Sequence, residues 1–131
     1  MNTILVLVDR KSLWSPDAWA EQVGGKRTGV AQIMVEQAGG SWLSIVRDDA
    51  VLGDFDAIER SRLADLVADP VAYLVEWRGD GLVELLLRSV MAACRADGTR
   101  AALDNDHGLL VPVHVVAGEP LESWVRVSAF P

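Results

Sequence analysis

Five consecutive aliphatic residues, Ile4-Leu5-Val6-Leu7-Val8, constrain this chain more than any other feature. A β-branched and leucine run without polar alternation leaves no face for water, so it reads as a central strand covered on both sides. Val71 to Trp77 has the same strongly apolar character and supplies a second strand. Such strands need further layers around them, and 131 residues, half of them hydrophobic, suffice for one domain, residues 1–131, with a sizeable core.

Local signals place the remaining elements. Ser15-Pro16-Asp17 has the order of a helix start, with Trp14 and Trp19 at the hydrophobic-staple positions and Gly24-Gly25 as its end. Gly29 to Glu36 alternates, with Ala31, Ile33 and Val35 on one side, and Trp42 to Arg47 alternates after Gly39-Gly40; together they predict a β-hairpin. Asp56 predicts an N-cap with Glu59 as its capping-box partner, opening a helix whose stripe is Ile58, Leu63, Leu66 and Val67 and which ends before Pro70. Gly79-Asp80-Gly81 turns into a helix of about fourteen residues, apolar over most of its circumference and therefore deepest in the fold, ending at Asp97-Gly98.

Ala101 to Leu103 and Leu109 to Val116, joined by Asp104-Asn105-Asp106-His107-Gly108, predict a second hairpin in which Pro112 marks an edge strand. Trp124 to Ala129 alternates like a last strand, while Gly118-Glu119-Pro120 suits a helix start. The order β-α-β-β-α-β-α-β-β, with that optional final strand, predicts an α+β domain. Its sheet is expected to be mixed and mostly antiparallel, with helices on one face. The first six elements match the ferredoxin-like order, which carries no function by itself.

Negative charge is concentrated. Residues 48–69 hold seven acids and two arginines, a net of −5 in a chain whose total is −7. Such a field draws cationic partners and disfavours nucleic acid and anionic membranes, both of which are polyanions. Asp54, Asp56 and Glu59 surround a helix start, where negative charge is stabilising, and Asp48-Asp49 suits the beginning of a loop. Asp65 and Asp69 are read at i and i+4 near the helix end, where each acid is unfavourable by about 0.3–1 kcal/mol and the two repel. Their charge is therefore expected to face a partner.

Five tryptophans against one tyrosine and two phenylalanines are unusual in a chain of this size, and tryptophan is a frequent interface anchor. Trp42, sharing a strand face with Ser44 and Val46, and Trp124, sharing one with Arg126 and Ser128, are the candidates for partial exposure. Trp14 and Trp19 already have a structural role in the staple.

Catalytic signals are sparse. Asp104-Asn105-Asp106-His107-Gly108 alone mixes carboxylates with a histidine; it reads as a metal or general-base site or as a tight turn, and the residue types favour the turn. Its spacing fits neither an EF-hand nor a zinc pattern. His114 lies in an apolar strand. No Gly-rich phosphate loop or nucleophile elbow is present. No cofactor and no metal are expected. The single cysteine, Cys94, sits in an apolar helical run and reads as a small buried hydrophobe. The first ten residues lack a basic segment and a cleavage site, and no apolar stretch approaches the ~20 residues of a membrane span, so a soluble, cytoplasmic protein is expected.

Tyr73-Leu74-Val75-Glu76-Trp77-Arg78-Gly79-Asp80-Gly81-Leu82-Val83-Glu84-Leu85-Leu86-Leu87, followed by Leu103-Asp104-Asn105-Asp106-His107-Gly108-Leu109, resembles small bacterial immunity proteins of contact-dependent growth-inhibition and polymorphic-toxin systems. The resemblance spans roughly the second half of the chain and rests on general character. It implies a non-enzymatic cytoplasmic protein that binds one cognate toxin domain, often a basic nuclease, and blocks its active site or substrate channel. Asp48, Asp49, Asp54, Asp65, Asp69, Trp42 and Trp124 are the expected contact residues. Two alternatives stand beside it: a small enzyme or ligand-binding domain using the Asp104 to His107 turn, and a dimeric regulatory or scaffold domain pairing through an edge strand.

Overall fold

The run from Ile4 to Val8 lies in β1 (Asn2–Asp9) and is buried on both sides in the computed structural model, which describes residues 2–128. In chain order there follow α1 (Pro16–Val23), β2 (Lys26–Arg27), β3 (Gln32–Glu36), β4 (Trp42–Arg47), a 3-10 segment (Asp49–Asp54) and α2 (Ala57–Leu66). Then come β5 (Pro70–Arg78), α3 (Asp80–Asp97), β6 (Ala101–Asp104), β7 (Leu110–Pro112), a one-turn helix α4 (Val113–Val116) and a 3-10 turn (Leu121–Ser123). The chain forms an α+β fold on one seven-stranded sheet of order β2-β3-β4-β5-β1-β6-β7.

Every pairing in that sheet is antiparallel, where a mixed sheet was expected. β5 inserts between β4 and β1, so no adjacent pair is parallel and the ferredoxin-like arrangement is not formed. β5 and β6 flank β1 and run in the same direction, with α3 as the crossover between them.

Both sheet faces are covered by helix, another departure from expectation. Side chains at Ile4, Val6 and Val8 join Ile33, Val35, Leu43, Ile45, Val75, Trp77 and Leu103 beneath α1, α3 and α4. Leu5 and Leu7 point the other way and join Ala72, Ala102 and Leu110 beneath Phe55, which follows the 3-10 segment, and Leu63 and Val67, in and just past α2. Because β1 is aliphatic at odd and even positions alike, a single helical layer would have left Leu5 and Leu7 in water.

Local chemistry accounts for most boundaries. Ser15 Oγ accepts from Ala18 N at 3.1 Å at the start of α1, and Trp19 is buried. The capping box of α2 is complete: Glu59 N donates to Asp56 Oδ1 at 2.8 Å and Asp56 N to Glu59 Oε1 at 3.1 Å. Ile58, expected in the apolar stripe, is 81% exposed. α3 runs for 18 residues with Leu82, Val83, Leu86, Leu87 and Val90 buried, while Leu85 faces outward. β7 stops at Pro112 instead of reaching Val116, and the chain turns directly into α4. Pro112 has no N–H to extend a ladder, so the aliphatic residues after it pack on the core from a helical turn. A last strand is not formed over residues 124–128, where a turn follows the 3-10 segment; Ala129, the end of the expected strand, lies outside the described residues.

Candidate partner-binding face

The cover formed by residues 49–67 extends over β6, β7 and the parts of β5 and β1 around Ala72, Leu5 and Leu7, but not over β3, β4 or the Glu76–Arg78 end of β5. Strand register arranges the side chains of the open area and its border in three rows. Glu36, Trp42 and Arg78 form the first; Lys26, Met34, Ser44, Glu76 and Thr3 the second; Gln32, Val46, Leu74 and Leu5 the third. Directly opposed side chains on such a ladder have Cβ atoms about 4.5–5.5 Å apart, so each row is a contiguous strip. Met34, Trp42 and Val46 are half-buried and belong to neither core, while Leu74 and Leu5 lie at the seam with the cover. Ser44 is buried at the centre and accepts from Gln32 Nε2 at 3.2 Å.

Trp42 is held at the mouth of the β3–β4 hairpin. That turn is closed by Gln37 N donating to Ser41 O at 2.9 Å, and Gly39 and Gly40 take φ of 90° and 88°, a region L side chains avoid. Beside it lies a shallow cavity of about 260 Å³ lined by Met34, Glu36, Gln37, Gly40, Ser41 and Trp42. An aromatic wall, a thioether and a carboxylate suit a side chain that is both apolar and cationic.

The acidic segment supports the fold more than it presents charge. Asp49 Oδ1 accepts from the backbone N–H of Ala72 at 3.0 Å, and Asp49 Oδ2 pairs with Arg47 at 3.0 Å. Burial pushes the Asp49 carboxyl upward, but the Ala72 and Arg47 contacts outweigh it and hold the group below its ordinary range. Asp56 and Glu59 are spent on the capping box. α2 ends at Leu66, so Asp69 is not the i+4 neighbour of Asp65 on a helix. Asp69 precedes β5 and pairs with Arg10 at 3.3 Å, while Arg62 donates from Nε to Leu110 O at 2.6 Å and ties α2 to β7. Asp65 is exposed in the last turn of α2, Asp54 is exposed at the end of the 3-10 segment, and Asp48 lies at the seam beside the open rows, its N–H bonded to Ala72 O at 3.0 Å.

Trp124, expected to be partly exposed, is fully buried, and its indole N–H has no partner among the described residues, so it serves as apolar volume. The non-strand path of residues 121–127 turns it inward. Asn105 holds that path: its Nδ2 donates to Trp124 O and Val127 O, both at 2.7 Å, while its Oδ1 accepts from His107 N at 2.9 Å and Leu109 N at 3.1 Å. Asp104 is buried and accepts from Asp106 N at 2.8 Å; burial pushes its carboxyl up, with Glu59 and Asp106 adding to the effect against that hydrogen bond. The Asp104 to Gly108 segment is thus a clasped turn with His107 exposed, and no group of three potential metal ligands occurs among the described residues.

The structure therefore gathers Trp42 and Asp48 at one face, leaves Asp54 and Asp65 on the cover, engages Asp49 and Asp69 in surface ion pairs with Arg47 and Arg10, and buries Trp124. Met34, Val46, Glu36 and Glu76 were missed. Alternation in Gln32 to Glu36 and Trp42 to Arg47 does mark the outward set, but only the sheet order reveals that no helix covers it. Among the described residues no helix is long and apolar enough to cross a membrane. Neither protein-family models nor curated proteins nor solved structures give a match to this chain.

Proposed function

We propose that this protein works by binding another protein through the open half of its sheet, as an immunity protein that neutralises a cognate, basic, nuclease-type toxin domain in the cytoplasm. The observation that carries this reading is the strip of Met34, Trp42 and Val46, apolar side chains of the sheet that no helix covers. Covering apolar surface is worth about 25 cal/mol per Å², and a centrally placed tryptophan is the residue type that most often dominates such contacts. The net charge of −7, with Asp48 at the edge of the strip and Asp54 and Asp65 exposed on the cover, steers the encounter with a cationic cleft. Residence time then depends on the anchors, because charge mainly sets the association rate.

The test is inhibition by the purified full-length chain. The tagged protein is recovered from its own cells with its bound partner, and the partner's hydrolytic activity is titrated with fresh protein. A one-to-one loss of activity is expected, weakened by Trp42→Glu in protein that remains folded, with its melting temperature lowered by only several degrees. Undiminished partner activity at saturation, or full inhibition by Trp42→Glu, contradicts the proposal.

A further inference from the structure

We infer that the partner inserts an arginine side chain along Trp42 with its guanidinium on the carboxylate of Glu76; this rests on the open face being the binding surface. Four charged side chains stand on the three rows, and their exposures differ. Lys26, Glu36 and Arg78 are exposed at the margins, where they remain hydrated when the face is covered. Glu76 is half-buried in the interior, opposite Ser44 on one side and Thr3 on the other, with Met34 beyond Ser44 in the same row and Leu74 two residues before it on the same face.

No internal partner neutralises it. The ion pairs among the described residues are Arg10–Asp69, Arg27–Asp17 and Arg47–Asp49, and the Ser44 hydroxyl is engaged by Gln32. Any protein that covers these rows takes Glu76 further out of water, and burying an unpaired carboxylate is costly enough to oppose docking. Docking is favourable when the covering surface brings a cation to that point. The field of the chain, net −7, favours the same sign of partner.

The surroundings choose the kind of cation. Trp42 pairs with Arg78, two residues beyond Glu76 on β5, so the indole is the diagonal neighbour of Glu76 and within reach of the same ligand. A planar guanidinium stacks on an indole and meets a carboxylate through a two-toothed contact, whereas an ammonium is a compact, strongly hydrated charge that does neither as well. Arg78 stands directly opposite Trp42 across the β4–β5 ladder, so the incoming arginine is placed on the Glu76 side of the ring.

The probe is N-acetyl-arginine methylamide, titrated into the isotope-labelled full-length protein, with the uncharged N-acetyl-citrulline methylamide and N-acetyl-lysine methylamide as comparators. Expected are saturable shifts of the Trp42 indole N–H and the Glu76 carboxyl carbon, with the arginine probe binding at least fivefold more tightly than either comparator. Glu76→Gln should remove that advantage while leaving the rest of the amide spectrum in place; Glu36→Gln, at the margin, should preserve it. Equal shifts for arginine and citrulline, shifts confined to Asp54 and Asp65, or an advantage that survives Glu76→Gln overturns the inference. If it fails while a natural partner still protects Trp42, the binding face stands and only its arginine specificity falls.

Discussion

Over β6, β7 and the parts of β5 and β1 around Ala72, Leu5 and Leu7 one face of the sheet is roofed by residues 49–67, and over β3, β4 and the Glu76–Arg78 end of β5 the same face is bare. Under the roof the sheet side chains are Leu5, Leu7, Ala72, Ala102 and Leu110, aliphatic or small, and they accept Phe55, Leu63 and Val67. In the bare half each row mixes apolar with polar: Trp42 with Glu36, Met34 with Ser44 and Glu76, Val46 with Gln32. That mixture sets the half-buried Met34, Trp42 and Val46 among polar neighbours. The most charged segment of the chain proves to be a cover whose acids are largely consumed in caps and clasps, whereas the strip with anchor residues carries little net charge. The acids that dominate the charge count in sequence thus lie mostly on the cover rather than on the bare strip.

The contrast can be broken by removing the roof. Leu63→Ala should cost about 2–5 kcal/mol of unfolding free energy, read from the urea midpoint, because Leu63 is buried against the sheet and its loss leaves a cavity. Next in size is Asp49→Ala, which strands the Ala72 N–H and should cost about 1–2 kcal/mol in the same assay. The pH dependence has a definite sign. Asp49 is held below its ordinary 3.8, so its contribution is fully present above pH 3.8 and is lost as pH falls through the lower folded value. Asp49→Asn should accordingly be less stable at neutral pH and show a shallower loss of stability below pH 3.8.

The bare half should behave oppositely. Trp42→Ala should lower stability by about 1 kcal/mol or less, since the side chain is only half-buried, yet weaken partner binding at least ~30-fold by calorimetry. A large stability loss with intact binding would assign Trp42 to folding alone. Smallest of all is Asp65→Lys, which replaces an acid in the last turn of α2 by a cation and should raise stability by about 0.3–1 kcal/mol. Partner affinity at physiological salt should barely change, with only the low-salt association rate falling.

Elements defined by local chemistry were legible from sequence. The run Ile4 to Val8, the cap at Ser15 and the capping box of Asp56 and Glu59 each contain their own signal within a few residues. β2 escaped because Lys26-Arg27 has no hydrophobic pattern and exists only through pairing with β3. Val113 to Val116 read as strand because β-branched residues favour one, but Pro112 ends the ladder and packing selects a helical turn. The candidate face was half legible: alternation put Trp42 outward correctly, whereas the same pattern at Trp124 misled, because the Asn105 clasp shapes that segment from 19 positions away. Asp69 was misjudged for a related reason, since the helix ends three residues before it, at Leu66. Which half of a sheet face stays bare depends on strand order, and no local signal carries that.

Hydroxyl-radical footprinting of the protein with and without its co-purified partner compares the two halves directly. Met34 and Trp42 report on the bare strip, and Ile58, 81% exposed on α2, reports on the roof. Strong protection of Met34 and Trp42 with Ile58 unchanged is the expected result; protection of Ile58 with Met34 and Trp42 still oxidised would place the partner on the acidic cover and contradict the open face as the binding surface.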